Sequence, residues 1–437
     1  MPHQVHGSVT ITNEKRAIGL KLAFERSPVK QTIEINYKPG TLRLPTNQTA
    51  ERVLMVKPQI EHMPMTNSVT EECVIKECKF MQRYAVLMAG GSGTRLWPIS
   101  KETSPKQFIT VNDDSSMLVQ TIKRLCKVVQ PEQCFIATTR LLSDITEKTA
   151  GEYIPCENII PEPERKNTAA CIAYAALLLQ KRFREGVLCF VPADGYVRDT
   201  ESYAEALQLA FDTAEKISGL VIIGVKPSYP ATGYGYIHVA PAAGEDEKVS
   251  PVLDFIEKPD PELAQELIKS EDYLWNCGIV AGKTDSIIQK IEEYLPEHYR
   301  KLSEALQKGG DNASDDVGKA YQELQSISFD NGVLEKCASS LYAVRATFDW
   351  DDIGSIDALA ETLEPDSEGN RVKGRHIGIN TTNSVIYGKD TAICTIDVDN
   401  MIVVGTKDEV LVCPRNKSQK VKILVEKIKQ EGHEDLL

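Results

Sequence analysis

The sequence predicts an α/β fold, with a doubly wound mixed, mostly parallel sheet of Rossmann-like type followed by a small C-terminal β domain. The first observation is that short, continuous apolar runs alternate with amphipathic helical stretches from Tyr84 onward. The second is that helical patterns stop after about Asp366 and short strand-like runs follow. The chain has 437 residues, 42% hydrophobic and 26% charged, which is globular composition for two or three domains.

Buried strands are indicated by apolar runs that end in Gly, Asp or a turn. These runs are YAVLMAG (84–90), CFIAT (134–138), VLCFVPAD (187–194) and LVIIGV (220–225). Amphipathic helices are predicted between them at 116–129, 167–183 and 203–217. Alternation at this spacing favours right-handed crossovers, and a ligand then binds at the carboxyl ends of the strands.

Three segments follow from these patterns. Residues 1–80 hold 11 Lys and Arg against eight Glu and no Asp, and we predict an N-terminal extension of unknown role, with KPG (38–40) as the turn of a short hairpin. Residues 81–365 form the main α/β domain. Residues 366–437 form the β domain, closed by a helix over 418–430.

Composition excludes several classes of protein. The net charge of −13 argues against a nucleic-acid surface. No apolar run is long enough to span a bilayer, and the first ten residues, MPHQVHGSVT, lack signal-peptide character, so we expect no membrane partner and a cytoplasmic protein. The 11 cysteines are scattered without metal-binding spacing, which is typical of reduced, buried thiols.

The strongest local motif is AGGSGTRLWPISKETSPKQF (89–108), directly after a predicted strand. Backbone N–H groups at Gly90, Gly91 and Gly93 can approach phosphate oxygens because no side chain intervenes. Arg95 and Lys106 would add charge to the same group. The loop lacks both the GK[ST] ending of a Walker A motif and the third Gly of a dinucleotide fingerprint.

Two further motifs carry charged groups suited to a phosphorylated ligand. Asp194 ends the VPAD strand, where its carboxylate would bind a hard cation, although a helix cap or a turn would account for it equally. In FIEKP, the Glu257 carboxylate can accept hydrogen bonds from sugar hydroxyls and the Lys258 ammonium can meet a sugar phosphate. An exposed Glu-Lys pair is also a common solvated turn.

Taken together, these motifs resemble the signature of the sugar-nucleotide pyrophosphorylases. The LWP and PKQF details are similar to the branch of that family that transfers guanylate to mannose 1-phosphate. The resemblance extends in family order over about 84–420, through EPERKNTAACIAYAA (162–176), VPAD (191–194), TGYGYI (232–237), FIEKP (255–259), WNCGI (275–279), SFDNGVLEK (328–336) and FDWDDIGS (348–355).

The resemblance implies roles for individual residues. The nucleotide-binding residues would be Ala89, Gly90, Gly91, Ser92, Gly93, Thr94, Asn167 and Thr168. The sugar phosphate would be held by Gly233, Glu257, Lys258 and Asn276, with Trp275 and Tyr234 fitting simple packing equally well. A magnesium ion would lie on Asp194 and Asp352, and the catalytic side chains would be Arg95, Lys106 and Lys258.

It also implies a reaction. GMP would pass from GTP to α-D-mannose 1-phosphate by direct in-line attack on the α-phosphorus, giving GDP-mannose and pyrophosphate. No general base is needed because the sugar phosphate is already an anion. The C-terminal domain resembles a short left-handed β-helix, and we expect a homodimer.

Departures from the family pattern keep alternatives open. Gly195 stands where the family usually has His after VPAD, and Cys277 stands in WNCG where Ser is common. In SFDNGVLEK, Glu335 and Lys336 are retained but the preceding residues differ. A sibling enzyme for another sugar 1-phosphate or nucleotide, or a catalytically silent regulatory subunit, therefore remain competing hypotheses.

Overall fold

A computed structural model describes residues 81–437 apart from 92, 112–114, 242–243, 245–247 and 309–312, together with six backbone strands within 1–80. The chain divides into two compact units, Met1–Phe80 and Met81–Leu437. Among the helices of the described residues, none has the length and apolar character that a membrane crossing requires.

In the first unit, the described strands form a four-stranded sheet in the order β3-β2-β1-β6 and a separate pair, β4 with β5. Their bounds are β1 Gly7–Glu14, β2 Ala17–Phe24, β3 Ile33–Tyr37, β4 Leu42–Arg43, β5 Val53–Leu54 and β6 Thr70–Glu72. β1 and β2 make an antiparallel hairpin. The KPG turn expected at 38–40 lies outside the described residues.

The second unit is built on a nine-stranded mixed sheet. Its strands are β7 Arg83–Met88, β8 Cys134–Thr139, β9 Ile159–Glu162, β10 Val187–Pro192, β11 Leu220–Val225, β12 Gly235–Val239, β13 Val249–Glu257, β14 Tyr273–Lys283 and β15 Leu341–Ala346. The helices are α1 Met117–Leu125, α2 Ser143–Ala150, α3 Asn167–Phe183, α4 Thr200–Ala214, α5 Pro261–Leu267, α6 Thr284–Tyr294, α7 Pro296–Lys308, α8 Ala313–Gln322, α9 Phe329–Gly332 and α10 Ile356–Glu361.

Strand order explains where a ligand can bind. The sheet runs β11-β15-β13-β12-β14-β10-β7-β8-β9. β10, β7, β8 and β9 are parallel neighbours, so their carboxyl ends lie along one edge. Antiparallel strands β12, β13 and β14 fill the middle of the sheet, which makes it mixed, as the sequence predicted.

The core lies on both faces of this sheet. On one face α3 packs through small residues such as Ala169 and Ala173, and on the other α1 and α4 pack through Leu118 and Phe211, all fully buried. The strands between them are apolar throughout because neither face meets water. This burial holds the strand ends, and the side chains that follow them, in fixed positions.

The C-terminal region adds a four-stranded sheet and a helix. β16 Arg371–Ile379, β17 Val385–Ile396 and β18 Met401–Gly405 pair in parallel, and β19 Val410–Pro414 pairs antiparallel with β18. Successive parallel strands joined by short turns are typical of β-helix coils. The helix α11 spans Val421–Gln430, within the range that the sequence predicted.

Candidate active site

A cavity of about 420 Å³ opens at the carboxyl ends of the parallel strands. Gly90 and Asp194 follow β7 and β10 and line it, and so do Asn167 and Thr168 at the start of α3. Cavities of this volume are typical of small-molecule sites. The sheet therefore brings the glycine turn and the VPAD carboxylate to one place, as parallel strand ends require.

The glycine turn is fixed at both ends. Ala89 is buried, its N–H donates to Ala137 O at 2.8 Å, and its carbonyl accepts from Gln107 Nε2 at 2.7 Å. Gly93 has φ +61°, and a Cβ there would lie 2.8 Å from the backbone N of Lys106. Only glycine fits that position, because a side chain would be strained and would also displace Lys106. Ser92, between these points, lies outside the described residues.

Lys106 contacts both aspartates that are predicted to bind the metal, Asp194 through its carboxylate and Asp352 through its backbone carbonyl. Its ammonium forms an ion pair with Asp194 Oδ2 at 2.9 Å and donates a hydrogen bond to the backbone carbonyl of Asp352. A Cβ at Gly91 would lie 3.9 Å from the same Asp194 oxygen. Three separate segments of the sequence, which carry Lys106, Asp194 and Asp352, thus meet at one ammonium group.

A short backbone pairing places Asp352 beside Asp194. Tyr196 and Asp351 form a two-residue antiparallel bridge, with N···O distances of 2.8 and 3.1 Å. The Asp352 side chain accepts a hydrogen bond from Tyr234 OH at 3.1 Å. Burial, and next the negative charge of Asp352, raise the pKa of the Tyr234 phenol, so the hydroxyl remains a donor at neutral pH.

The donor set around Lys106 suits a magnesium ion. Within the residues that the structure describes, no three His, Cys, Asp or Glu side chains converge as a complete metal cage. Magnesium is usually bound by one or two carboxylates with substrate phosphates and water completing its shell. Asp194 and Asp352 provide that number of carboxylates, and Asp194 lies next to the glycine turn, so the residues present fit the group.

The departure at Gly195 has a structural explanation. A Cβ at this position would lie 3.1 Å from the indole Nε1 of Trp350, so the indole occupies the space that a side chain at 195 would need. The Gly195 carbonyl accepts a hydrogen bond from Arg124 at 2.8 Å. The indole of Trp350 thus packs directly against Gly195, next to Asp194.

The FIEKP motif lies at the end of β13, close to a second group of carboxylates. The Lys258 ammonium pairs with Glu257, whose side chain is 9% exposed, while that of Lys258 is 56% exposed. Burial, and then the charge of Asp330, raise the pKa of the Glu257 carboxyl. Asn276 Nδ2 donates to Asp330 Oδ1 at 2.8 Å, which links WNCG to SFDNGVLEK.

The remaining predicted residues either lie outside the cavity lining or have side chains that are already hydrogen-bonded within the protein. Arg95 and Gly233 are exposed, and neither lines the cavity. Thr94 begins the short turn of 3-10 helix that carries Arg95. Asn167 Oδ1 accepts from the Thr168 N–H at 2.8 Å, and Thr168 Oγ1 accepts from Phe329 N at 2.8 Å. The oxygen atoms of both side chains therefore accept hydrogen bonds from backbone N–H groups and stabilise the start of α3.

Sequence reasoning did not single out several polar residues that line the cavity, among them Thr139, Glu162 and Asp330. Thr139 and Glu162 end β8 and β9, as Asp194 follows β10, so a polar residue after an apolar run was an available signal. Asp330 lies in a four-residue helix, where periodicity carries no information.

Comparison with known proteins identifies the family of this chain. The profile of the Nucleotidyl transferase family matches residues 84–368, and that of the MannoseP isomerase/GMP-like beta-helix domain matches residues 374–428. A mannose-1-phosphate guanylyltransferase of Escherichia coli strain K12 is 34% identical over 80% of this chain and 74% of its own length. The alginate biosynthesis protein AlgA of Pseudomonas aeruginosa is 30% identical over 80% of this chain and 73% of its own length.

A solved structure shows the same fold. The crystal structure of a Thermus thermophilus protein, described as a mannose-1-phosphate geranyltransferase, superposes with a TM-score of 0.71 and is 32% identical, covering 80% of this chain and 100% of that one. The family profile covers well over half of this chain, and the E. coli relative is matched over nearly three quarters of its length. The chain therefore belongs to the nucleotidyl transferase family.

Proposed function

We propose that this protein transfers GMP from GTP to α-D-mannose 1-phosphate, giving GDP-mannose and pyrophosphate. The observation that carries the proposal is the junction at Lys106, which contacts Asp194 and the Asp352 carbonyl next to a cavity lined by Gly90, Gly91 and Asp194. Relatives named mannose-1-phosphate guanylyltransferase, each at least 33% identical over about 80% of this chain, support the choice of substrates.

The reaction needs charge and alignment rather than a proton acceptor. The phosphate of a sugar 1-phosphate is already anionic at neutral pH, so it can attack the α-phosphorus in line and expel pyrophosphate. The obstacle is repulsion between two anions. In the proposed assignment, Arg95 and Lys106 offset the charge on the β- and γ-phosphates, and the N–H groups of the glycine turn orient the triphosphate.

Asp194 and Asp352 would hold a divalent cation. When bound, magnesium supplies positive charge to the α-phosphate and to the incoming sugar phosphate. Lys106 already lies between these two segments, and it keeps Asp194 in place through the 2.9 Å ion pair. The two aspartates are therefore presented together before a nucleotide arrives.

Residues around β13 and β14 would bind the sugar phosphate. The exposed Lys258 ammonium would orient the attacking phosphate, and the largely buried Glu257 carboxylate would accept hydrogen bonds from ring hydroxyls. Asn276 and Gly233 would contact the hexose. The compartment we propose is the cytoplasm, since every cysteine of the described residues for which a state is given is a free thiol.

A substrate panel tests this function. Pyrophosphate release is measured with GTP, ATP, UTP and CTP, each combined with mannose, glucose and heptose 1-phosphates in the presence of Mg²⁺. We expect GTP with mannose 1-phosphate to give the highest kcat/KM. A higher value with another sugar would make the protein a sibling enzyme, and no release with any pair would leave a binding subunit.

The Asp194→Asn substitution tests the metal assignment. We expect turnover to fall by about a hundredfold or more, because one electrostatic partner of the transition state is lost, while the melting temperature stays near that of the native protein. Asp254→Asn is the matched control, since Asp254 is exposed on β13 away from the cavity. Native turnover in the Asp194 variant would remove Asp194 from the site.

A further inference from the structure

A buried arginine lies behind the strand end that is followed by Asp194. Arg124, in the last turn of α1, is 4% exposed. Within the part of the chain that the structure describes, no carboxylate forms an ion pair with it, and its Nε atom has no hydrogen-bond partner. Removal from water lowers the pKa of the guanidinium, so its charge is held in the interior at a cost in stability. A buried charge of this kind requires an explanation beyond packing.

The Arg124 guanidinium holds the backbone next to Asp194. Its Nη2 atom donates to the carbonyl of Gly195 at 2.8 Å and to Thr121 Oγ1 at 2.6 Å. The Thr121 hydroxyl donates in turn to Met117 O at 2.9 Å, so the guanidinium is attached to the helix α1. Gly195 has no side chain that could anchor this flexible position. The arginine therefore fixes the peptide group that directly follows Asp194.

The same arginine is connected to the segment of Asp352. The Arg124 guanidinium lies over the ring of Tyr203 on α4, with 5.2 Å between its Cζ atom and the ring centroid. The Tyr203 ring meets Phe348 edge-on, with 5.0 Å between the centroids, and both rings are 3% exposed. Phe348 begins the FDWDDIGS motif that contains Asp352. Cation–π and aromatic contacts have preferred geometries, so this buried stack restrains the position of the motif.

We propose that Arg124 is a positioning residue for the divalent cation: it holds the segments of Asp194 and Asp352 in the arrangement that lets both carboxylates bind one ion. The inference rests on the proposed function, which assigns the cation to these two aspartates. Magnesium demands near-ideal octahedral geometry, so the relative position of two carboxylates matters to it. Loss of a group that orients metal ligands typically weakens metal binding by about ten- to a hundredfold.

The Arg124→Lys substitution tests the assignment by metal binding. Lysine keeps the positive charge, but it lacks the planar donor group that contacts Gly195 and Thr121 and lies over the Tyr203 ring. Mn²⁺ is titrated into the full-length protein without nucleotide, and the free ion is measured by electron paramagnetic resonance. We expect the Kd for Mn²⁺ to rise about tenfold.

Turnover provides a second measurement. In Arg124→Lys, the Mg²⁺ concentration for half-maximal pyrophosphate release is expected to rise about tenfold, while kcat at saturating Mg²⁺ stays within about a factor of two of the native value. An arginine that only supports the fold would behave differently. Its loss would lower the melting temperature without changing the Mg²⁺ dependence of the folded enzyme.

Two substitutions at Tyr203 test the connection to the Asp352 segment and replace the first test if Arg124→Lys does not fold. Tyr203→Leu removes the ring under the guanidinium and is expected to raise the Kd for Mn²⁺ about fivefold. Tyr203→Phe keeps the ring and is expected to restore native binding. Melting temperatures report folding for every variant.

Arg83→Lys is the matched control. Arg83 also lies over an aromatic ring of α4, that of Phe211 at 5.5 Å, but it begins β7, at the opposite end of that strand from the glycine turn. This variant is expected to keep the native Kd for Mn²⁺, whatever its melting temperature.

Two results overturn the inference. One is native Mn²⁺ affinity in folded Arg124→Lys protein, or in folded Tyr203→Leu protein where Arg124→Lys does not fold. The other is an equal loss of affinity in Arg83→Lys, which would show a general effect of altered arginines on the fold. Failure of the proposed function is seen separately in the native protein, as no pyrophosphate release from GTP with mannose 1-phosphate.

Discussion

Burial controls the charge of the Glu162 carboxyl. Removal from water raises its pKa to about 7 from an ordinary 4.5, while hydrogen bonds from Tyr321 and Cys171 act in the opposite direction. The carboxyl is therefore near its midpoint at neutral pH.

This raised pKa predicts how stability depends on pH. The folded state holds the proton more tightly than the unfolded chain, so its contribution is complete below about pH 4.5 and is lost as pH rises through about 7. A shift of this size corresponds to about 3 kcal/mol of unfolding free energy. Glu162→Gln, which has no charge to bury, should gain stability relative to the native protein between pH 5 and 8.

Urea unfolding at several pH values measures this effect. The difference in unfolding free energy between the variant and the native protein should grow with pH across that window. Glu164→Gln serves as the control, since Glu164 lies two residues away, outside the cavity lining, and pairs with Lys166 at 3.3 Å. A difference that stays constant from pH 5 to pH 8 would contradict the assignment of the raised pKa to Glu162.

Among the structural elements, the glycine turn after β7 determines how closely the backbone approaches Lys106. Gly93 adopts a left-handed conformation. A Cβ added at Gly93 would lie 2.8 Å from the backbone N of Lys106 and 3.2 Å from Ser100 Oγ. The ion pair from Lys106 to Asp194 depends on this close approach. The conformation of one turn thus determines the position of the charge at the site.

We therefore expect Gly93→Ala to damage activity more than stability. The positive φ costs about 1 kcal/mol, and the added Cβ must move Lys106 by several tenths of an ångström. Turnover should fall at least about tenfold, because misplacement of a charged group on this scale is costly in catalysis. Steady-state kinetics and thermal melting measure the two effects.

The control for this prediction is Gly318→Ala. Gly318 lies within α8, and a Cβ there would meet no atom within 4 Å. Alanine favours a helix over glycine, so this variant should be as stable as the native protein or slightly more so, with native turnover. An active, stable Gly93→Ala enzyme would show that the turn tolerates a side chain.

In the second unit as a whole, the C-terminal region packs against the segments that carry the predicted site residues. One buried cluster contains Leu96 and Ile99 after the glycine turn, Ile353 beside Asp352, and Val425 and Ile428 of α11. Trp97 Nε1 also donates to Leu436 O at 2.8 Å. We therefore expect the β domain and its helix to keep the glycine turn and the segment of Asp352 in place.

This packing predicts that a charge on the buried face of α11 will impair catalysis, although α11 does not line the cavity. Val425 is 4% exposed, and Val425→Asp buries an unpaired carboxylate, which should cost about 3 kcal/mol of stability or more. The KM for GTP should rise as the turn and Asp352 lose their support. Ile423→Asp on the same helix is the matched control, because Ile423 is 63% exposed and should tolerate the change.

Thermal melting and GTP kinetics decide between the outcomes. If both aspartate variants behave alike, the C-terminal helix has no supporting role. Loss of stability in Val425→Asp with native GTP kinetics at low temperature would show that the helix stabilises the unit without positioning the site.

Sequence patterns were sufficient for the α/β class, the mixed sheet and the C-terminal β-helix-like region. Helix α3, predicted over 167–183, spans that range in the structure, because an amphipathic helix follows a local periodicity. The pairing order of β12 to β15 was not readable, since antiparallel insertion depends on contacts between residues far apart in the chain. The predicted site residues remain predictions, of which Asp194 and Gly93 are tested by the substitutions above.

The sequence by itself determined which elements form, where the glycine turn lies and which motifs carry charge, because these depend on local composition and spacing. Only the tertiary structure decided that Lys106 contacts both Asp194 and Asp352, that Trp350 fills the space beside Gly195, and that Glu162 and Thr139 face the same cavity. The physical reason is that burial and strand order bring together groups that are distant in sequence. A local sequence pattern does not specify which of these distant groups come into contact.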